Sequence, residues 1–183
     1  MQSTGYQPTN GNLDSSDLLA QGSNVQSADS NRNGPLKDSG ARREFETGAV
    51  RDIQQGKGRC DLLPLAVVGS IVQDDILVAI DNFLHTKDDN HLKKAIEQFC
   101  FKAYGDLITG FLEVAIHYEQ GAIKYAPHNW EKGIPLHCFI DSGVRHYLKF
   151  LRGDTDEPHD RAFVWNMLGA IWTLHNKPEL DDI

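Results

Sequence analysis

The chain has 183 residues, of which 40% are hydrophobic and 24% are charged, and its formal net charge at pH 7 is −8. This length suits one domain with a sizeable core. The acidic balance argues against nucleic acid or an anionic membrane surface as a partner, because both attract basic proteins.

The cysteines and the first residues indicate the compartment. Cys60, Cys100 and Cys138 are widely spaced and odd in number, so we predict no disulfide framework and a reducing environment. No apolar run of about 18 residues occurs, and residues 1–40 contain no apolar segment of the secretory type. We therefore expect a cytoplasmic protein.

The amino-terminal segment differs in composition from the rest of the chain. Residues 1–43 are rich in Gly, Ser, Asn, Gln and Asp and contain little to bury, so burial cannot offset the entropy of ordering them. We predict a disordered tail at residues 1–43 and one domain at residues 44–183. The first apolar run of the domain is residues 62–72, where Pro64 is expected to open a helix.

Helical periodicity dominates the remainder of the domain. Apolar residues at spacings of three and four predict helices at residues 74–86, 89–104, 106–125, 135–151 and 157–175. No useful length alternates polar and apolar residues, so no strand is predicted. The predicted fold class is all-α, a bundle of four to five helices with short connections.

Glu119 is a carboxylate among apolar neighbours. Residues three and four positions away share a helix face, and those around Glu119 are alanines and isoleucines. The pattern predicts that Glu119 points inward. Because a buried carboxylate needs a partner, Glu119 is expected to bind a metal or to pair with Arg145 or Lys124.

More acids crowd the start of the segment 157–175. Glu157 and Asp160 are three residues apart and are predicted to share a face, and Asn166 follows on the packed side. Acids from different helices of a bundle suit hard divalent cations such as Mg²⁺ or Mn²⁺. The alternative is capping, with Asp156 as N-cap and acids facing the positive end of the helix.

The segment 135–151 adds cations beside these acids. Asp141 and Arg145 are spaced as an i, i+4 ion pair, which is the structural interpretation of both. Arg145, His146 and Lys149 together form a predicted cationic patch. Acids next to such a patch suit a metal-bound polyphosphate.

Four motifs occur in one order: "ETGAVRD…GKGRCDLLP", "YEQGAIKY…HNWEKG", "DSGVRHYLKFLRG" and "DEPH…WN". In this combination the chain resembles a phage-encoded family of dATP/dGTP diphosphohydrolases, which is related to the MazG-like all-α nucleoside triphosphate pyrophosphohydrolases. The resemblance covers residues 46–175 apart from 74–104, which we interpret as a helical insertion.

The resemblance implies a Mg²⁺- or Mn²⁺-dependent enzyme that cuts a nucleoside triphosphate between the α- and β-phosphates. For members from phages with 2-aminoadenine in their genomes, the implied substrate is dGTP or GTP, and dGMP feeds synthesis of the 2-aminoadenine nucleotide. The resemblance also implies a homo-oligomer, either a dimer or a tetramer.

The implied metal ligands follow Glu-x-x-Glu on one helix and Glu-x-x-Asp on another. Glu157 and Asp160 match the second pattern, whereas Glu119 is followed by Ala122 where a second Glu is expected. Asp141 or His159 is then expected to fill the vacancy. One carboxylate of this set would orient the attacking water.

The remaining candidates are assigned to the nucleotide. Lys124, Arg145 and Lys149 would neutralise the pyrophosphate, and His146 or His159 would act as an acid, a base or a ligand. Lys57 and Arg59 are expected to close over the phosphates, although their "GKG" lacks P-loop spacing. The remaining pair is Asn129 and Trp130, which either read and stack on the base or serve as a turn residue and a core aromatic.

Two other classes stay open at this point. One is a helical interaction module in which the acids form structural ion pairs. The other is an HD-type metallophosphohydrolase, because "LHTKDD" and "EPHD" place histidines beside acids. That class needs a His…His-Asp…Asp set, and His159–Asp160 supplies the adjacent pair.

Overall fold

The structure is a computed structural model that describes residue 36 and residues 40–183. In this part of the chain a two-stranded antiparallel hairpin precedes six α-helices. The strands are β1 (Arg42–Glu44) and β2 (Val50–Asp52), and the helices are α1 (Leu65–Val72), α2 (Asp75–Thr86), α3 (Asn90–Tyr104), α4 (Leu107–Tyr125), α5 (Leu136–Arg152) and α6 (His159–Asn176).

The all-α class is confirmed, with six helices in the described residues instead of the four to five expected. The prediction of no strand is wrong, since β1 and β2 pair with Arg43 opposite Arg51. The predicted disorder of residues 1–43 lies mostly outside the described residues, although Arg42 and Arg43 belong to β1. That residues 74–104 are an insertion stays a prediction.

Local signals in the sequence fix where several helices begin. Pro64 occupies the N-cap position of α1, as expected. The carboxylate of Asp74 accepts the amides of Ile76 and Leu77 at 3.0 and 3.1 Å, and Asp106 accepts the amide of Thr109 at 2.9 Å. These side chains satisfy amide groups that a helix start leaves without partners.

The core lies between α5, α6 and the helices that precede them. α5 and α6 approach closely because Gly143 lies against Met167 and Gly169 lies against the ring of Phe139, where a Cβ atom would overlap. α2 and α3 supply fully buried side chains to the same core, among them Leu77, Phe83, Leu92 and Phe99. The segment 74–104 is therefore integral to packing.

The hairpin is held to the helices by the loop after α4. The Asn129 side chain accepts the amide of Val50 at 3.0 Å and donates to its carbonyl at 2.8 Å. Thr47 donates to the carbonyl of Gly133. These bonds fix β2 against the helices. Across the described residues, each helix is too short or too polar to span a membrane.

Candidate active site

A cavity of about 770 Å³ lies between the hairpin, α4, the loop after α4, α5 and the start of α6. This volume is within the range of sites that bind small molecules and cofactors. Aromatic side chains form part of its wall: Phe45, Tyr118, Tyr125, Trp130 and Trp165. Most of the other lining residues are of polar types, and they include most of the residues predicted for the site.

Asp141 and Arg145 form the ion pair that their spacing predicts, and the pair is largely buried. The other contacts of Asp141 are with the backbone amide of Cys60 and the Gln54 side chain, each at 2.7 Å. Both oxygens of Asp141 are therefore occupied by protein donors. The structure favours a structural role for Asp141 over the predicted one of metal ligand.

A cluster of two histidines and one carboxylate lies at the start of α6. His146 Nδ1 and His159 Nδ1 are 2.9 Å apart, and Glu157 Oε1 lies 3.8 Å from each. His146 and Glu157 line the cavity, whereas His159 lies behind them. Burial, followed by the neighbouring His159, lowers the pKa of His146 well below its ordinary value, so its imidazole is neutral.

Glu157 and Asp160 do not share a face as predicted, because α6 begins only at His159 and Glu157 precedes the helix. Glu157 lines the cavity and Asp160 does not. The Asp160 carboxylate accepts the amide of Arg161 at 2.9 Å and interacts with the Tyr104 hydroxyl. Asp156 is not the N-cap, since its carboxylate binds His159 Nε2 at 2.7 Å instead.

The prediction that Glu119 is buried is wrong, because Glu119 is exposed, although it lines the cavity. Of its apolar neighbours, Ala115 and Ile123 are exposed, Ile123 at 83%, and Ile116 and Ala122 are half-buried. The expected ion pairs of Glu119 do not form. The carboxylate of α4 that meets a buried cation is Glu113, which the sequence analysis missed and which accepts from Arg161 Nε at 2.9 Å.

Three predicted phosphate-binding cations already have carboxylate partners. Lys124 pairs with Asp52 at 2.8 Å, Lys149 pairs with Asp156 at 3.1 Å, and Arg145 pairs with Asp141. All three line the cavity. Their charges are thus largely balanced within the protein.

Arg51 is one of two cavity cations that the sequence analysis did not select, the other being Arg43. Arg51 projects from β2 onto the cavity wall, where Nη1 donates to the Cys138 carbonyl at 3.1 Å and Nη2 donates to Asn166 Oδ1 at 2.9 Å. The guanidinium also lies 5.4 Å from the centroid of Trp165. No carboxylate of the described residues pairs with it. Burial is the main cause that lowers its pKa.

Lys57 and Arg59 separate in the structure. Lys57 lines the cavity without an ion pair to any described residue, and partial burial lowers the pKa of its ammonium group. Arg59 Nε donates to Asp61 Oδ1 at 2.7 Å, and Arg59 does not line the cavity. Of these two cations, Lys57 is the one positioned to contact a ligand in the cavity.

The amides and the indole predicted for the site have clear structural roles. The Asn129 side-chain amide is hydrogen-bonded to the backbone of Val50. Asn166 accepts from Arg51 and donates to the Ala162 carbonyl at 2.7 Å. Trp130 packs edge-on against Trp172 at 5.0 Å between centroids while lining the cavity. For Asn129 the geometry favours the structural alternative over base reading.

Two groups of side chains in the described residues could hold a metal ion: His146, Glu157 and His159, and Asp154, Asp156 and His159. In each group the ligand atoms lie within 4.8 Å of one another. The first group fits a divalent cation through one carboxylate and two imidazoles, and it borders the cavity. Glu119, Asp141 and Asp160 belong to neither group.

The fold and the cavity define an all-α protein with a cationic and aromatic site suited to a phosphorylated ligand. Residues 91–183, just over half of the chain, match the family described as dATP/dGTP diphosphohydrolase, N-terminal. The chain belongs to this family, whose name indicates a diphosphohydrolase with a nucleotide substrate. No curated protein and no solved structure matched the chain.

Proposed function

We propose that this chain is a metal-dependent nucleoside triphosphate diphosphohydrolase that cleaves between the α- and β-phosphates and releases the monophosphate and pyrophosphate. The proposed substrates are dGTP and GTP, with dATP as the further substrate that the family name includes. In a phage setting the dGMP formed would supply synthesis of the 2-aminoadenine nucleotide.

The observation that carries this proposal is that Arg51 and Lys57, like Arg43, line the cavity without an ion pair to a described residue. Arg51 meets only neutral acceptors, and Lys57 has no ion pair among the described residues. Arg51 is half-buried, and a desolvated cation without a carboxylate is costly, so its surroundings are suited to an anion. Arg51 can offer its guanidinium plane to phosphate oxygens, and Lys57 adds a point charge.

The cations that already have partners act around this pair. Lys124, Arg145 and Lys149 line the same cavity and add positive potential while their carboxylates hold them in place. Trp130 and Trp165 offer apolar faces to a nucleobase. Arg59 is left outside this arrangement because Asp61 binds it.

A divalent cation, Mg²⁺ or Mn²⁺, would be held by Glu157, His146 and His159, and when bound it supplies polarisation of the phosphate oxygens. The side chain of Glu119 lines the cavity and makes no hydrogen bond or ion pair with a described residue. Its proposed role is to orient and deprotonate the attacking water. Assembly into a dimer or tetramer stays a prediction.

Product analysis tests the proposed reaction. The full chain is incubated with each ribo- and deoxyribonucleoside triphosphate and either Mg²⁺ or Mn²⁺, and the products are separated by chromatography. We expect monophosphate and pyrophosphate in equal amounts, with dGTP and GTP turned over fastest. Release of nucleoside and triphosphate would overturn the proposal in favour of an HD-type enzyme. Absence of turnover with every nucleotide would favour the interaction module.

A further inference from the structure

We propose that His146, Glu157 and His159 form a site for a divalent first-row transition ion such as Mn²⁺ or Co²⁺, in preference to Mg²⁺. The resemblance implies an all-carboxylate set, whereas the donors that the structure assembles are two nitrogens and one carboxylate. The inference rests on the proposed function only for the nearby phosphate site, since metal binding is measurable without nucleotide.

The spacing of the two nitrogens matches adjacent ligands of one ion. His146 Nδ1 and His159 Nδ1 are 2.9 Å apart. Metal–nitrogen bonds of about 2.0–2.1 Å that meet at a right angle place the two nitrogens about 2.9 Å apart. Glu157 Oε1 lies 3.8 Å from both nitrogens on the cavity side, within reach of the same ion by rotation of a flexible side chain.

Asp156 fixes the orientation of His159. Its carboxylate accepts from His159 Nε2 at 2.7 Å and is itself held by Lys149 at 3.1 Å. With the proton on Nε2, the lone pair of Nδ1 faces His146 and Glu157. A carboxylate behind a histidine is the usual second contact of a metal-ligating imidazole. Without metal, His146 Nδ1–H donates to this lone pair, and metal binding requires only its other neutral tautomer.

The second group, Asp154, Asp156 and His159, is less suited to a cation. Arg152 Nε donates to Asp154 at 2.6 Å, and Lys149 pairs with Asp156. Both carboxylates therefore already have cationic partners. Among the described residues, the Glu157 carboxylate forms its ion-pair contacts within 4.0 Å with the two histidines, which are neutral when they act as ligands.

The donor chemistry determines the ion. Mg²⁺ prefers oxygen ligands and usually keeps several waters, whereas imidazole suits first-row transition ions. Two histidines with one carboxylate and open positions are typical of such ions. Because His146 and Glu157 line the cavity, water and phosphate oxygens in the cavity would complete the coordination.

The test is Mn²⁺ binding to the full chain without nucleotide, followed by electron paramagnetic resonance with detection of nitrogen couplings. We expect one bound Mn²⁺ with imidazole nitrogen signals, and Mg²⁺ should displace it only in large excess. His146→Ala and His159→Ala should each remove part of the nitrogen signal, and Glu157→Gln should weaken binding with the nitrogen signal retained. Asp156→Asn should raise the Kd about 10–100-fold.

His175→Ala is the matched control, since His175 lies on the same helix, is exposed and pairs with Asp89. Its Mn²⁺ affinity and nitrogen signal should equal those of the unchanged chain. Because His159 is buried, circular dichroism accompanies each variant, and His146→Ala decides if His159→Ala does not fold. Bound Mn²⁺ without nitrogen couplings, no bound Mn²⁺, or couplings unchanged in the histidine variants would overturn the inference.

The outcomes separate this inference from the proposed function. Pyrophosphate release from a nucleotide without nitrogen couplings to bound Mn²⁺ would leave the function standing and overturn the histidine site. Nitrogen couplings that disappear in the histidine variants, without turnover of any nucleotide, would establish the metal site and overturn the proposed reaction.

Discussion

Two of the polar networks among the described residues differ in whether the protein supplies partners for their charges. Asp74 is buried where α1 meets α2, and it accepts from Lys102 at 3.1 Å, from the Tyr147 hydroxyl and from two amides of α2. The Asp74 carboxylate therefore has all of these partners within the protein. In the cavity, by contrast, Arg51 and Lys57 have no ion pair with a carboxylate of the described residues, and the side chain of Glu119 makes no hydrogen bond or ion pair with any of them.

A network whose charged groups all have protein partners stabilises the fold. A network whose charged groups lack such partners can bind a charged ligand instead. The half-buried Arg51 costs stability because it has no counter-charge paired with it among the described residues, a pattern typical of functional sites. Substitutions should therefore separate the two regions: those around Asp74 should affect stability, and those around Arg51 should affect activity.

The largest expected effect is on activity. Arg51→Gln should lower kcat/KM for the nucleoside triphosphate by about 100–1000-fold, because it removes a positioned cation from the charged phosphates. The Tm of this variant should be unchanged or raised, because the substitution removes the charge of Arg51, which has no ion pair with a described residue. Steady-state kinetics and thermal unfolding measure both quantities.

Arg152→Gln provides the matched control for Arg51→Gln. Arg152 is exposed and pairs with Asp154, so its replacement should leave kcat/KM and Tm unchanged. A large drop in the Tm of Arg51→Gln with little change in kcat/KM would assign Arg51 to the structural class and remove the contrast between the two networks.

The opposite pattern is expected at Asp74. Asp74→Ala removes the cap of α2 and leaves the Tyr147 hydroxyl and Lys102 without their acceptor, so it should lower the free energy of unfolding by about 3 kcal/mol. The kcat/KM of the folded protein should not change. Urea unfolding and kinetics at low denaturant test this.

Asp75→Ala is the control on the same helix, because Asp75 is exposed in the first turn. We expect a change below about 0.5 kcal/mol. If Asp74→Ala instead abolished turnover without loss of stability, the Asp74 network would be functional and the comparison would fail.

The sequence predicts these two regions unequally. Signals from residues close together in the chain are visible in the sequence, whereas contacts between distant residues are not. Helices α4, α5 and α6 were predicted within two residues of their ends because their patterns and caps are local. Arg51 was missed because strands of three residues are too short to alternate visibly, and because its partner Asn166 lies on a distant helix.

Local patterns gave wrong predictions for the burial of one face of α4 and for the first residue of α6. Apolar neighbours suggested a buried Glu119, yet that face of α4 is exposed, with Ile108, Leu112 and Ile123 more than half accessible. Glu157 and Asp160 were paired on one face because the helix was expected to start two residues too early. The acidic and histidine-containing motif still selected Glu157 and His159, which lie together with His146 in the structure, since its composition does not depend on the helix start.

The smallest expected effect is the pH dependence of the Asp74 network. Burial acts to raise the pKa of Asp74, but the bonds from Tyr147, the Leu77 amide and Lys102 together hold it below its ordinary 3.8. The folded state therefore binds this proton less readily than the unfolded state. Its contribution to stability is present above pH 3.8 and is lost as the pH falls through the folded-state pKa.

Asp74→Asn isolates this contribution, because asparagine keeps the cap but carries no charge. We expect the difference in unfolding free energy between the unchanged chain and this variant to be constant above about pH 5 and to shrink as the pH falls below 4. Urea unfolding of both proteins along a pH series measures it. A difference that stayed constant down to about pH 2 would show that the charge of Asp74 does not contribute to the free energy of unfolding. An uncharged side chain of the same shape would then be sufficient at this position.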